Sequence, residues 1–190
     1  WQWMWPLFQK EFAETLDGVS LQDWLLAINH VEPSLIRTES DEITYNLHII
    51  LRFELEQQLL NGELPVKDLP GEWNAAMTGM LGICPPDDAR GCLQDIHWSG
   101  GGLGYFPTYT LGNLIGAQLF ETAQQTLPDL KGHFAKGDFS VLLGWLRENV
   151  HQHGKRYSAE ELVERTTGKP LSAAALLTHL KAKAQKYYGV

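Results

Sequence analysis

Helical spacing of apolar side chains dominates this chain. Met4, Leu7, Phe8 and Phe12 fall three and four apart and predict an amphipathic helix that Pro6 confines to starting nearby. Ser20 followed by Asp23 has the form of a helix cap, ahead of Leu21, Trp24, Leu25 and Ile28. The clearest pattern covers 40–60. There Ile43, Leu47, Leu51, Leu55 and Leu59 repeat every four residues, Ile50 widens the stripe, and Asn61-Gly62 supplies a stop.

The middle of the chain differs. Residues 65–70 read as a loop and 72–81 as a short helix ending at Gly82. Pro85-Pro86 breaks the chain before 91–109, where Gly100, Gly101 and Gly102 form a run that no helix favours. Helical spacing returns with Leu111, Leu114, Ile115, Gln118 and Leu119, and stops before Pro128. Three further helices are predicted at 139–151, 158–167 and 172–188. With no repeat, low-complexity tract or linker to divide it, the chain reads as one mostly α domain over residues 1–190.

Composition narrows the classes of partner. The 190 residues are 44% hydrophobic and 20% charged, a globular balance with enough length for a core. A net charge of −8 argues against a nucleic-acid or anionic-membrane surface, since both select basic patches. No stretch is long and apolar enough to span a bilayer, and 1–5 has neither a basic n-region nor a cleavage site. Cys84 and Cys92 cannot build a disulfide framework, which points to a reducing, cytoplasmic setting. Three tryptophans and no initiator methionine at the start suggest a cut through something longer.

Common catalytic motifs are absent. The glycines at 100–104 lack the third glycine of a dinucleotide loop, whose place falls on Tyr105. No nucleophile elbow and no Cys-x-x-Cys occurs. Seven histidines invite a search for metal ligands, but no His-Glu-x-x-His is present. His151 and His153 stand two apart, on different faces of a helix end, and read as solvated, while His30, His133 and His179 stand alone.

Two clusters are chemically expensive. Asp41, Tyr45, His48, Arg52 and Glu56 share one face of the long predicted helix, opposite its leucines. They form either a solvated face of weak ion pairs or a buried polar seam. The second cluster is Gln94-Asp95-Ile96-His97-Trp98, followed by the glycines and then Tyr105-Phe106-Pro107-Thr108-Tyr109. A histidine and two tyrosines on one such connection are suitable donors for an oxyanion, or else an aromatic hairpin that merely packs.

At these residues the chain resembles the carboxypeptidase Taq family of zinc metallocarboxypeptidases, also called thermostable carboxypeptidases. Ile36-Arg37-Thr38-Glu39-Ser40-Asp41 follows the family's Ile/Asn-Arg-x-x-Ala/Gly-Asp motif, with serine at position 40 in place of the small residue. Residues 91–98 match Gly-x-x-Gln-Asp-x-His-Trp in full, and 104–109 match Gly-Tyr-Phe-Pro-Thr-Tyr in full. The family's His-Pro-Phe, Asp-x-Arg-x-Thr, His-Glu-x-x-His and His-Glu-Ser/Gly-Gln motifs lie upstream of these three, and none occurs here.

The resemblance implies a multi-helix, zincin-like lobe with one Gly-rich loop or hairpin near 91–109. It implies the C-terminal portion of an enzyme that removes C-terminal amino acids from peptides, completed by the N-terminal part of the same polypeptide and commonly homodimeric. Zinc, or cobalt in its place, would be held outside this chain, leaving the piece alone inactive and marginally stable. His97 and Tyr109 would stabilise the oxyanion, with Tyr105 in reserve. Arg37 would bind substrate, through its C-terminal carboxylate, with Asp41 fixing the local geometry, and Gln94 or Asp95 would set the histidine tautomer. A stand-alone helical binding or scaffold protein that retains the motifs is the competing expectation.

Overall fold

The computed structural model describes all of residues 1–190 and contains nine α-helices, short 3₁₀ turns and no strand. Helix α1 (Trp5–Glu11) carries Pro6 in its first turn, where a missing N–H costs nothing. Helix α2 (Leu21–Ile28) starts in the reciprocal cap its sequence predicts. The Ser20 hydroxyl accepts from the Asp23 N–H, and the Asp23 carboxylate accepts from the Ser20 N–H.

Helix α3 (Tyr45–Leu60) begins five residues later than its apolar pattern suggests. Asp41 is the cause. Its carboxylate accepts from the N–H groups of Ile43 and Thr44 and from the Thr44 hydroxyl, holding 42–44 as a turn. Ile50 is exposed and Ile49 is buried in its stead. Helix α4 (Leu69–Leu81) starts earlier than expected, because Pro70 falls in its first turn, and it ends on Gly82 with a positive φ.

Helix α5 (Pro107–Thr126) follows the Gly-rich connection, which is a succession of turns and not a hairpin of strands. Then come α6 (Leu130–Ala135), α7 (Ser140–Asn149), α8 (Ala159–Thr167) and α9 (Ala174–Tyr188). Helix α6, only six residues long, is too short to show a period and was not expected from the sequence. No helix is long and apolar enough to cross a membrane.

The chain divides into two compact units. Unit 1 comprises Trp1–Asn29 and Asn113–Val190, and unit 2 comprises His30–Gly112. Within unit 1, Gln118 is the buried polar hub. Its amide donates to the Thr167 hydroxyl and to the carbonyls of Lys169 and Pro170, and its carbonyl accepts from the Ser172 N–H. Within unit 2, Leu51 and Leu55 of α3 pack on Trp73, Met77 and Leu81 of α4, with Leu64 and Cys92 closing the cluster. Each such buried side chain contributes about 1.5–3 kcal/mol. This core is the platform of the candidate site.

Candidate active site

Every sequence-predicted site residue lies in unit 2. His97 and Tyr109, twelve residues apart, come together: His97 Nε2 is 3.1 Å from the Tyr109 hydroxyl. The connection returns so tightly because the Gly102 N–H donates to the His97 carbonyl at 2.7 Å. A Cβ at position 102 would sit 3.0 Å from that oxygen, so a side chain there meets backbone. Gly101 and Gly104 both take positive φ. Pro107 then opens α5 and sets Tyr109 in its first turn.

Phe106 is the anchor beneath. It is buried, its ring centre is 4.4 Å from that of His97, and it meets Trp98 edge-on. Tyr105 is 52% exposed, beside His97 and Tyr109 but not under them. The packing role in this aromatic group therefore belongs to Phe106, and the hydroxyls of the tyrosines are not needed for it.

Arg37 is placed in the same group. Its guanidinium lies 5.0 Å from the Tyr109 ring centre. Nε and Nη2 donate to Asp95, the latter at 2.7 Å, and Nη1 donates to the Tyr45 hydroxyl. Of five guanidinium N–H groups, one on each terminal nitrogen is left over. Burial opposes the Arg37 charge, but Asp95 outweighs it and raises the pKa. Asp41 does not pair with Arg37, since it is spent on capping the turn before α3. Ser40 is better placed for that work: its hydroxyl donates to the Arg37 carbonyl at 2.6 Å.

Gln94 does not reach His97. Its carbonyl accepts from the Arg37 N–H and its amide donates to the Leu35 and Arg90 carbonyls, so it holds the chain of Arg37 and not the imidazole. Asp95 Oδ1 is 3.9 Å from His97 Nδ1, beyond hydrogen-bond reach, and Nδ1 has no partner within this chain. The Asp95 oxygens go instead to Arg37 and Arg52. Burial would raise its pKa, yet the Arg37 bonds and the Arg52 charge prevail and lower it.

The face of Tyr45, His48, Arg52 and Glu56 is the buried seam, not the solvated one. His48, Arg52 and Glu56 are all within 1% of complete burial. Arg52 donates through Nε to Asp95 at 2.8 Å and through Nη1 to the His48 carbonyl, and its guanidinium stacks 4.7 Å from the Trp73 ring centre. Burial pushes its pKa down to about 10. Burial and the neighbouring Arg52 push His48 down to about 4, so it is neutral near pH 7. Glu56 accepts from the Trp98 indole N–H at 2.6 Å. The sequence displays these residues as a spaced series, but nothing in it discloses that Arg52 and Glu56 reach the 95–98 segment.

Residues 1–184 match the sequence profile of the carboxypeptidase Taq (M32) metallopeptidases. The chain belongs to that family. It is 48% identical, over its whole length, to thermostable carboxypeptidase 1 of Thermus thermophilus, and 41% identical, over 92% of its length, to thermostable carboxypeptidase 1 of Pyrococcus furiosus. It spans 37% and 35% of those two proteins, just over a third of their length. Among solved structures, the M32 carboxypeptidase of Deinococcus radiodurans superposes with a TM-score of 0.97 at 46% identity, covering all of this chain and 38% of that one.

Members of a metallopeptidase family act with a bound metal, and the residues present here do not fit one. No three His, Cys, Asp or Glu side chains come together in a group that could hold a metal ion. The M32 residues of this chain offer hydrogen-bond donors, a guanidinium and a structured loop.

Proposed function

We propose that this chain is the C-terminal portion of a metal-dependent carboxypeptidase and that it supplies the groups receiving the end of a peptide substrate. The observation that carries this reading is the 3.1 Å His97–Tyr109 pair, lying on a tight loop beside the Arg37 guanidinium. A carbonyl oxygen entering between imidazole and phenol can accept from both, exchanging one internal bond for two. As negative charge grows on that oxygen, both bonds strengthen. The two unspent Arg37 N–H groups, one on each terminal nitrogen, suit the paired oxygens of a C-terminal carboxylate. Asp95 and Tyr45 keep that guanidinium from rotating away.

Zinc held by residues outside this chain would supply the activated water and polarise the scissile bond in the whole enzyme. The 190 residues alone then neither retain zinc stoichiometrically nor hydrolyse peptides. Chelator-sensitive turnover by the purified chain would overturn that part.

Tyr109→Phe in the longer enzyme tests the main reading. Loss of one oxyanion donor costs about 10²–10³ in kcat, and here KM and Tm should stay near their original values because the ring is kept. Unchanged kcat would remove Tyr109 from the reaction. For Arg37→Lys, kcat/KM on free-carboxylate peptides should fall, while C-terminally amidated peptides, already poor substrates, change little. Equal cleavage of the two peptide types before and after the change would end the assignment of carboxylate recognition.

A further inference from the structure

The segment on either side of His97 is held from one helix, at Asp95 and at Trp98. Two residues before His97, Asp95 takes 2.8 Å and 2.7 Å contacts from Arg52 Nε and Nη2. One residue after it, the Trp98 indole donates to Glu56 at 2.6 Å. Arg52 and Glu56 are four apart on α3, so they lie one turn above the other on a single face. Both are within 1% of complete burial. Between these two fixed points, Ile96 is 84% exposed and contributes no packing.

We infer that Arg52 and Glu56 are the positioning pair of the His97 loop, gripping it on either side of the imidazole through Asp95 and Trp98. The inference rests on the reading of His97 as a donor and deepens it, since neither residue belongs to a motif that carries the family resemblance. A donor on a loop of consecutive glycines has many conformers to lose, and an oxyanion contact is worth its full value only when the geometry is preset. The two grips differ in chemistry. Asp95 is held by a charged fork shared with Arg37, and Trp98 by one charge-assisted bond plus edge-on packing against Trp73 and Phe106. Because α3 also carries Leu51 and Leu55 in the unit 2 core, the loop inherits the rigidity of that core.

Hydrogen exchange on the 190-residue chain separates positioning from bulk stability. In Glu56→Leu the amides of Gly100 and Gly102, and the Trp98 indole N–H, should exchange at least about tenfold faster, a local opening. The α3 and α4 amides should keep their rates. Glu56→Gln retains an oxygen that accepts from the indole and should behave as the parent. Arg52→Met should loosen the same amides from the Asp95 side. Should Glu56→Leu fail to fold, Trp98→Phe/Glu56→Leu removes donor and acceptor together, orphans no polar group, and is read in the same way. Unchanged loop rates in the Leu variants, or acceleration spread evenly over α3, α4 and the loop, would overturn the inference. These rates involve no peptide and no metal. An unaltered kcat in both Tyr109→Phe and His97→Ala of the longer enzyme would therefore sink the donor reading and leave the grip standing, while uniform exchange would do the reverse.

Discussion

Gln118 in unit 1 and Arg52 in unit 2 are both buried polar side chains in the middle of a helix, and they end differently. The Gln118 amide is saturated: three acceptors take its NH₂ and one donor uses its oxygen, all within 54 residues of it along the chain. Its partners are neutral and fix the turn between α8 and α9. Arg52 sits in a charged group with loose ends, where Glu56 Oε2, Trp73 Nε1 and His97 Nδ1 have no partner within this chain. A saturated neutral hub is a fastening. A charged group with open valences costs stability, and such costs persist where chemistry is done.

That contrast sets an order of effects. Arg52→Met should be the most damaging, about 3–5 kcal/mol, because it removes a fully buried cation and leaves the partly buried Asp95 carboxylate short of a partner. Urea unfolding of the chain followed by tryptophan fluorescence measures it. His48 comes next. Its ordinary pKa of 6.5 falls to about 4 in the fold, so between those values the unfolded chain binds a proton that the folded one refuses. The contribution is complete above pH 6.5 and is lost as pH falls toward 4, at most about 3 kcal/mol in all. His48→Leu should flatten that part of the pH–stability curve, and an identical slope in the variant would remove His48 as its source. Gln118→Leu should cost less, about 1–3 kcal/mol for the groups it orphans, and the cost should not vary with pH. A Gln118→Leu loss exceeding that of Arg52→Met would invert the contrast between the two units.

Much of this was legible in the residues. Period gave α3 and α5, Ser20 with Asp23 gave the start of α2, and two unbroken motifs brought His97 and Tyr109 to one connection. What was not legible depends on the third dimension. The resemblance assigns Asp41 to the local geometry of Arg37, and its carboxylate does shape this stretch, but through the backbone donors of Ile43 and Thr44 and not through the guanidinium. The partner of Arg37 is Asp95, 58 residues away, and no spacing rule reaches that far. Likewise the polar face of α3 could be wet or dry until its surroundings were known. Burial of His48, Arg52 and Glu56 is a property of what covers them, and local pattern carries no record of the cover.

The carboxylate of Asp95, divided between two arginines, also constrains how this sequence can change over generations. A lineage that loses Arg52 hands the whole carboxylate to Arg37, tightening its hold on the guanidinium that faces Tyr109. A lineage that loses Asp95 strands two positive charges with no carboxylate between them. Positions 37, 52 and 95 are therefore energetically coupled, and a change at any one alters what the other two contribute.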